Sequence, residues 1–332
     1  MAEITNNKNN QSLNNHEYPV NTDLENNLAK SSGENNAVLA AGRKEKYLIT
    51  TVIAFVAVIL LVVFVREQTR FSARMAELKK ATAAFESHNA SQIISEMMVK
   101  CPAGEFIMGS PFGEIGRRED EVQHRVIFSK DFYISKYPIT QMIYRTIMGD
   151  NPSRYKDDSC PVDSVNWFKA KEFCKKLNDL TADTRPDEYE FDLPTEAQWE
   201  YACRAGTSSS LNSGKEITVK NGSCYNLEEV AWYENNSGGK PHPVGLKLPN
   251  AWGIYDMHGN VWEWCRDYYG PYQTENAVDP EGPDTGYFRS DRGGSWINYY
   301  PCLLRSANRY CRNPKYEYNF LGFRIVLGPV KK

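Results

Sequence analysis

An uninterrupted apolar run near the amino terminus limits what this chain can fold into more than any other feature. Tyr47 to Val65 is 19 residues long and contains no charged residue, no glycine and no proline. At a rise of 1.5 Å per residue, about 20 apolar residues cross a bilayer. A soluble core helix would carry a polar stripe, and a cleaved signal peptide would be shorter and end in a small-residue cleavage site. The run therefore predicts one transmembrane helix at residues 47–65.

The segments that flank this helix bear on its orientation. Residues 1–46 contain 11 asparagines and few apolar side chains, a composition typical of disorder. Basic residues are nearly balanced on the two sides, so the positive-inside rule does not choose an orientation. They are Lys30, Arg43, Lys44 and Lys46 before the run, and Arg66, Arg70, Arg74, Lys79 and Lys80 after it. A short polar tail is ordinary for the cytoplasmic side of a signal anchor, and eight cysteines fit an oxidising exterior. Both favour a single-pass membrane protein with an extracytoplasmic carboxy-terminal domain.

Residues 66–92 predict a helical stalk. Residues 66–88 are rich in helix formers and lack glycine and proline. Apolar residues recur at three- and four-residue steps along one face, namely Phe71, Met75, Leu78, Ala81 and Phe85. Such a stalk would hold the following domain away from the bilayer. It could also pair with a second copy as a short coiled coil, which would make a homodimer.

The remaining residues, 93–330, predict a globular domain. The chain has 39 Lys and Arg against 42 Asp and Glu, a balance that argues against nucleic-acid binding. No CxxC pair and no zinc-type spacing of cysteine and histidine occurs. Aromatic clusters alternate with glycine, asparagine and proline, so ordered loops are expected to make up much of the domain.

Three helices and four short strands can be predicted within it. The first helix follows Pro138 and runs to about Met148, because proline suits the first helical turn. The second spans Ser164 to Leu180, and the third begins at a capping box opened by Thr195 and runs to about Arg204. The apolar face of the second helix is predicted to carry Phe168, Phe173, Cys174, Leu177 and Leu180. The predicted strands are Glu105–Met108, Arg125–Phe128, Phe132–Lys136 and Gly322–Leu327.

A series of motifs in this domain resembles one known family. They are PAGEFIMGS from Pro102, FYISKYPITQ from Phe132, NPS from Asn151, PVDSVNW from Pro161, LPTEAQWEYACRAG from Leu193, NAWGIYDMHGNVWEWC from Asn250, RGGSW from Arg292, RSANR from Arg305 and LGFR from Leu321. Their order and spacing over roughly residues 97–328 resemble the formylglycine-generating enzyme, or sulfatase-modifying factor, domain. The resemblance implies an α+β fold, a variant of the C-type lectin fold with little regular secondary structure.

The resemblance also implies a chemistry to be checked residue by residue. The founding enzyme oxidises a sulfatase cysteine to formylglycine, and two cysteines after the Gly-Gly-Ser motif hold Cu(I), a metal that prefers thiolates. The first ligand position here is Asn298, and Cys302 is at best a shifted second ligand. Cys311 lies where the family has no copper ligand. A copper site is therefore not expected, and Cys302 is expected to be buried or disulfide-bonded. An iron-dependent branch is excluded, since it needs a histidine triad on an added helical domain.

A structural Ca²⁺ site is the one metal site that the resemblance favours. The matching groups are the side chain of Asp256, the carbonyl groups of Gly259 and Val261, and the carboxylate of Glu263. These are hard oxygen ligands from one tight loop, which suits calcium. The alternative is that the two acids only accept hydrogen bonds from backbone amides.

The resemblance places a substrate groove along residues 298–301 and 310–320, which are dense in tyrosine and asparagine. Its candidate residues are Trp296, Asn298, Tyr299, Arg305, Arg309 and Tyr318. Tyrosine provides contact area at low entropic cost, as in antibody paratopes, although ordinary aromatic core is an equal alternative. The family's disulfide partners of Cys174 and Cys203 correspond to Ser306 and Ile325, so those bridges are absent, and Cys265–Cys302 is one possible substitute.

Together these features predict a membrane-anchored domain that binds a peptide or protein and is not an oxidase. The alternative is a divergent copper oxidase that acts on sulfatases.

Overall fold

The computed structural model describes residues 55–75, 77, 94, 96–220, 222–272 and 276–330. The predicted tail at 1–46, the first part of the predicted span at 47–54, and most of the stalk beyond residue 75 lie outside these residues. Of the predicted span and stalk, residues 55–75 are helical. No helix among the described residues reaches the length and hydropathy of a membrane span.

The second compact unit of the chain, Phe71–Lys332, contains every strand that the structure describes. Its main helices are α1 Gln141–Met148, α2 Trp167–Leu180 and α3 Glu196–Arg204, with two four-residue helices, α4 Tyr225–Glu228 and α5 Glu234–Ser237. Its strands are β1 Met98–Cys101, β2 Gly104–Met108, β3 His124–Phe128, β4 Phe132–Ser135, β5 Tyr189–Asp192, β6 Ala231–Trp232, β7 His258–Gly259, β8 Trp262–Tyr268, β9 Ala277–Val278, β10 Arg289–Arg292, β11 Arg309–Arg312, β12 Leu321–Gly322 and β13 Val326–Pro329. The mixture of short strands, three helices and long loops agrees with the α+β fold class.

The strands form four small sheets. Two of them have four strands, in the orders β1-β4-β13-β5 and β11-β10-β8-β12. A third joins β2, β3 and β9, and a fourth joins β6 and β7. The terminal strand predicted at Gly322–Leu327 is divided, because β12 pairs with β8 whereas β13 pairs with β4 and β5. The chain therefore crosses from one four-stranded sheet to the other within a few residues.

Helix starts follow capping chemistry. The capping box at Thr195 is confirmed, since the Thr195 side chain accepts from the Gln198 amide and the Gln198 side chain accepts from the Thr195 amide. The predicted start at Pro138 is wrong, because α1 begins after Thr140, whose side chain caps the Ile143 amide. The second helix likewise begins three residues later than predicted, after the Asn166 cap.

The buried face of α2 also differs from the prediction. Phe168 and Leu180 are exposed. The residues that face the core are Trp167, Ala170, Phe173, Cys174 and Leu177. Their spacing is that of one helical stripe, and Phe168 and Leu180 lie to its side. This stripe packs in one hydrophobic core with Tyr144 and Phe323, whose rings contact Phe173.

Candidate functional site

The first copper-ligand position is occupied by a side chain that stabilises a turn. After β10, Gly293 and Gly294 adopt φ of 96° and 75°, which favours glycine, and the chain turns into Ser295. The Asn298 amide oxygen accepts from the Ser295 amide at 2.8 Å and from its hydroxyl at 3.0 Å. Asn298 therefore holds the turn, and it offers no thiolate.

Cys302 is covered by a neighbouring loop. It lies in the 3₁₀ helix Pro301–Leu304 and is buried. Gly116 lies so close that a Cβ added there would be 2.2 Å from the Cys302 Cβ atom. Burial raises the pKa of the Cys302 thiol, which keeps it protonated at neutral pH. Cys302 is therefore a covered thiol, and the preceding ligand position, Asn298, offers no second sulfur.

Arg305 binds the loop that covers Cys302. One terminal nitrogen donates to Glu114 at 2.6 Å and to Glu121 at 2.8 Å. The other terminal nitrogen donates to Glu121 and to the Gly116 carbonyl, both at 2.7 Å. The guanidinium group is buried, and all these partners come from residues 114–121. Arg305 therefore fixes this loop over the 3₁₀ helix.

Arg309 and Arg292 belong to a second buried ion-pair network. Arg309 binds both oxygens of Glu196, at 2.6 and 2.7 Å. Arg292 bridges Glu196 and Glu200, at 3.0 and 2.5 Å. Burial alone would raise the pKa of Glu196, but the two arginines outweigh it and lower that pKa to about 2.

These contacts correct the predicted groove. Arg305 and Arg309 were expected to line it, but both are buried and their N–H groups serve protein acceptors. Trp296 is also buried, and its indole N–H donates to the Asn319 carbonyl at 3.1 Å. That hydrogen bond brings the 296–300 segment next to the 316–320 segment. Tyr299 is exposed and Tyr318 is half-buried.

The accessible side chains of the predicted groove segments are mostly tyrosines, and we call them the tyrosine surface. Its members are Tyr299, Tyr300, Tyr310, Tyr316 and Tyr318. Tyr299 and Tyr300 meet edge to face, as do Tyr316 and Tyr318. The first four have 40–51% of their area exposed, so they are not ordinary aromatic core.

One member of this region was missed by sequence reasoning. The guanidinium carbon of Arg312 lies 4.6 Å from the ring centre of Tyr310, 5.3 Å from Tyr318 and 5.2 Å from Phe320. Arg312 and Tyr310 alternate along β11, so both side chains leave the same face of the sheet. That two-residue alternation was the signal that could have identified Arg312.

The two acidic side chains of the predicted calcium site both have partners within the protein. Arg324 donates to both oxygens of Glu263, at 2.6 and 2.9 Å, and the Trp199 indole N–H donates to Glu263 at 2.6 Å. Asp256 accepts from the Gly245 amide at 2.7 Å. Burial raises the pKa of Asp256 to about 6.

Glu263 thus has a cationic partner, and Asp256 has a backbone donor. No group of three acidic, histidine or cysteine side chains able to hold a metal ion occurs in the described ranges. The predicted set combines two acidic side chains with the carbonyl groups of Gly259 and Val261, and the calcium site stays a prediction. Of the two acids, Asp256 accepts from a backbone amide, whereas Glu263 accepts from the side chains of Arg324 and Trp199.

All eight cysteines are free, so the substitute bridge Cys265–Cys302 is absent. The Cys203 thiol donates to the Ser306 hydroxyl at 3.6 Å. Ser306 is one of the two positions that the resemblance gives to the family's disulfide partners, so a hydrogen bond is found there and not a disulfide. Cys311 faces Ser290 across the β10–β11 ladder, not another thiol.

Sequence comparison identifies relatives with enzyme and non-enzyme names. The chain is 32% identical over 212 residues to the chaperone protein LppX of Paenibacillus barcinonensis, covering 51% of this chain and 70% of that protein. It is 34% identical over 150 residues to the formylglycine-generating enzyme of Thermomonospora curvata, covering 42% of this chain and 50% of the enzyme. The matched part thus spans about half the length of that enzyme.

Structural comparison gives the same fold. Variable protein 1 of Treponema denticola superposes with a TM-score of 0.61 at 29% identity, over 70% of this chain and 95% of that one. PvdO of Pseudomonas aeruginosa superposes with a TM-score of 0.57 at 29% identity, over 69% and 93%. Residues 83–328 match the sulfatase-modifying factor enzyme 1-like domain. The chain therefore belongs to the family of formylglycine-generating, sulfatase-modifying factor domains.

Proposed function

We propose that this chain is a membrane-anchored binding module of its family and not a formylglycine-generating oxidase. The observation that carries the proposal is the donor set at the copper-ligand positions. The Asn298 side chain holds the Gly-Gly-Ser turn and has no sulfur, and Cys302 is covered by Gly116. Cu(I) is favoured by a pair of thiolates, and these two positions offer at most one.

The tyrosine surface supports the binding role. It is accessible at the place where the family positions its substrate, while the arginines that would shape an open groove are buried in ion pairs. Tyrosine combines a large apolar ring with a hydroxyl group and is enriched in recognition surfaces. A peptide or protein segment is the ligand class that such a surface fits.

The oxidase alternative is tested by direct assay. We expect no conversion of a sulfatase-motif peptide when the purified protein receives Cu(I), a reductant and air. Mass spectrometry measures the result, because formylglycine replaces the thiol by an aldehyde with a defined loss of mass. Turnover that disappears in Cys302→Ser would establish the oxidase and overturn the proposal.

The binding role is tested by site-specific photo-crosslinking in the native host. We expect a photoreactive phenylalanine analogue at position 316 to give one discrete protein adduct on irradiation, since Tyr316 is half exposed on the tyrosine surface. The matched control is position 225, a tyrosine with 73% exposure that lies outside this surface. Equal adducts at both positions, or none at 316 and 299, would contradict a binding role for the tyrosine surface.

The membrane anchor is also part of the proposal. It is supported by the uncharged run Tyr47–Val65 and by the exposed apolar side chains of the described helix, such as Phe55, Leu60 and Phe64. Because none of the cysteines is in a disulfide, cysteine content no longer supports an oxidising compartment. The extracytoplasmic orientation stays a prediction.

We expect the full chain to remain in the membrane pellet after a sodium carbonate wash, because a spanning helix is not displaced by high pH. Deleting residues 1–90 is expected to move the protein to the soluble fraction. The measurement is immunoblotting of both fractions. Intact chain in the carbonate supernatant would exclude the anchor.

A further inference from the structure

Two arginines occupy directly opposite positions on adjacent strands. Arg289 of β10 pairs with Arg312 of β11 in the antiparallel register. Residues opposite each other in such a ladder project from the same face, and like charges placed there destabilise the sheet. We refer to Arg289 and Arg312 as the arginine pair. Its mutual repulsion needs an anion nearby.

The protein supplies only part of that compensation. Arg312 donates through Nε to Asp291 at 2.8 Å. Arg289 donates to the Arg266 carbonyl at 2.5 Å, and in the part of the chain that the structure describes no acidic side chain forms an ion pair with it. Asp291 therefore compensates Arg312 alone, and the acidic neighbour of Arg289 is Asp267, beyond ion-pair distance. The other Asp291 oxygen, Oδ1, has no hydrogen-bond partner among the described residues.

Aromatic rings fix the orientation of both guanidinium groups. The Arg289 guanidinium carbon lies 3.9 Å from the Trp167 ring centre and 3.4 Å from that of Tyr268. Arg312 lies among the rings of Tyr310, Tyr318, Phe320 and Trp262. Rings that cover the faces of a guanidinium leave its N–H edge for an acceptor, and a carboxylate matches that edge.

The surroundings are suited to a peptide rather than to a small ion. Tyr310, Tyr316 and Phe168 are exposed beside the pair, with 40%, 50% and 52% of their area accessible. Lys315 adds a further positive charge between Arg312 and Tyr316 in the chain, and no ion pair involving it occurs among the described residues. Positive charge and exposed rings thus occur close together in this part of the chain, where the exposed acid Glu317 already pairs with Lys169.

We propose that the arginine pair binds the carboxylates of an acidic peptide segment whose apolar side chains pack on the neighbouring rings. This inference depends on the proposed binding function and specifies the chemistry of the partner. A carboxylate at the arginine pair would offset the cross-strand repulsion that Asp291 offsets only for Arg312. The tyrosine surface would supply the apolar contacts of the same segment.

The test uses the full chain in detergent micelles and a fluorescein-labelled peptide of six Glu-Tyr repeats, measured by fluorescence anisotropy. Its matched control is the peptide of six Gln-Tyr repeats, which keeps the rings and removes the charge. We expect the Glu-Tyr peptide to bind at least about tenfold more tightly at 0.1 M salt, as one charge-assisted hydrogen bond allows. We also expect this preference to shrink as salt is added.

Variants of the protein locate the binding site. Arg312→Gln and Arg289→Gln are each expected to weaken binding of the Glu-Tyr peptide about tenfold. Arg125→Gln is the matched control, because it removes an exposed arginine that pairs with Glu105 on another sheet. Arg289→Lys keeps the charge but loses the planar edge, so an intermediate loss is expected even if Arg289→Gln folds poorly.

The outcomes separate this inference from the proposed function. Equal binding of the two peptides, or equal loss in Arg125→Gln and Arg312→Gln, would overturn the acidic partner. If neither peptide binds at 1 mM while crosslinking at position 316 still gives a discrete adduct, the inference is wrong and the binding function stands. If crosslinking also gives no adduct, both are wrong.

Discussion

Replacing Arg305 by methionine is expected to lower the free energy of unfolding by about 3–5 kcal/mol, the cost typical of removing one partner of a buried ion pair. Arg305 is fully buried and is the shared cation of Glu114 and Glu121. Methionine has a similar length but no charge, so both carboxylates would stay buried without a cationic partner, and Glu121 would keep only the hydrogen bond from the Ser110 hydroxyl. Urea unfolding of the full chain in micelles, followed by tryptophan fluorescence, measures the change.

Two further variants make this result interpretable. Arg125→Met removes an exposed arginine that pairs with Glu105, and it should cost less than about 1 kcal/mol. The triple variant Arg305→Met, Glu114→Gln, Glu121→Gln should regain much of the lost stability, since no buried charge is then unpaired. If Arg305→Met were as stable as the parent chain but lost affinity for the Glu-Tyr peptide, Arg305 would be a groove residue after all.

The two roles of Arg305 could not be separated from the sequence. Its partner Glu114 lies 191 residues away and Glu121 lies 184 residues away. Local patterns such as capping or strand alternation extend over a few residues, so they carry no information about such pairs. A motif arginine near a substrate groove and a motif arginine in a buried network look the same in one sequence.

Short-range features were predicted more successfully. The capping box at Thr195 and strands near 105–108, 125–128 and 132–135 were located to within one or two residues. The apolar face of α2 was misassigned because Trp167 starts the helix and shifts the buried stripe. The division of the last strand was missed, since only tertiary pairing decides that β12 and β13 join different sheets.

In the candidate site, too, features set by contacts between distant parts of the chain could not be predicted from the sequence. The prediction that Asn298 and Cys302 do not form a thiolate pair needed only residue identity and spacing, which are local information. Which aromatic side chains are exposed was not predictable, since Trp296 and Tyr299 are three residues apart and differ only in what packs on them. The arginine pair was also hidden, because it depends on the register between two strands.

Replacing Asp267 by asparagine is expected to raise the stability of the protein at pH 8 and to change it little below pH 4. Asp267 is buried, and burial together with the nearby Glu196 carboxylate raises its pKa from 3.8 to about 7. Its side chain accepts from the Glu196 amide at 2.9 Å, a bond that the asparagine oxygen can also accept. The substitution therefore removes an unfavourable charge and keeps the hydrogen bond.

The direction of this pH dependence follows from how many protons Asp267 binds in the folded and in the unfolded chain. Between pH 3.8 and about 7 the unfolded chain has released the proton of Asp267 and the folded chain still holds it. The free energy of unfolding therefore falls as pH rises through this window. Above pH 7 this decrease in the free energy of unfolding is complete. A pKa difference of three units corresponds to about 4 kcal/mol. Asparagine does not titrate, so its advantage should grow across this window.

Thermal unfolding of both proteins from pH 4 to pH 8 measures the difference. The control is Asp187→Asn, which changes an exposed acid and should leave the two curves parallel. Glu196 acts in the opposite direction, because its pKa is lowered to about 2, so both proteins should lose stability as pH falls below 4.5. If Asp267→Asn were less stable than the parent chain at pH 8, the ionised carboxylate would stabilise the folded state, and its pKa could not be raised. Asp267 would then act as a third carboxylate of the buried network. That network pairs two glutamates, Glu196 and Glu200, with three arginines, Arg204, Arg292 and Arg309.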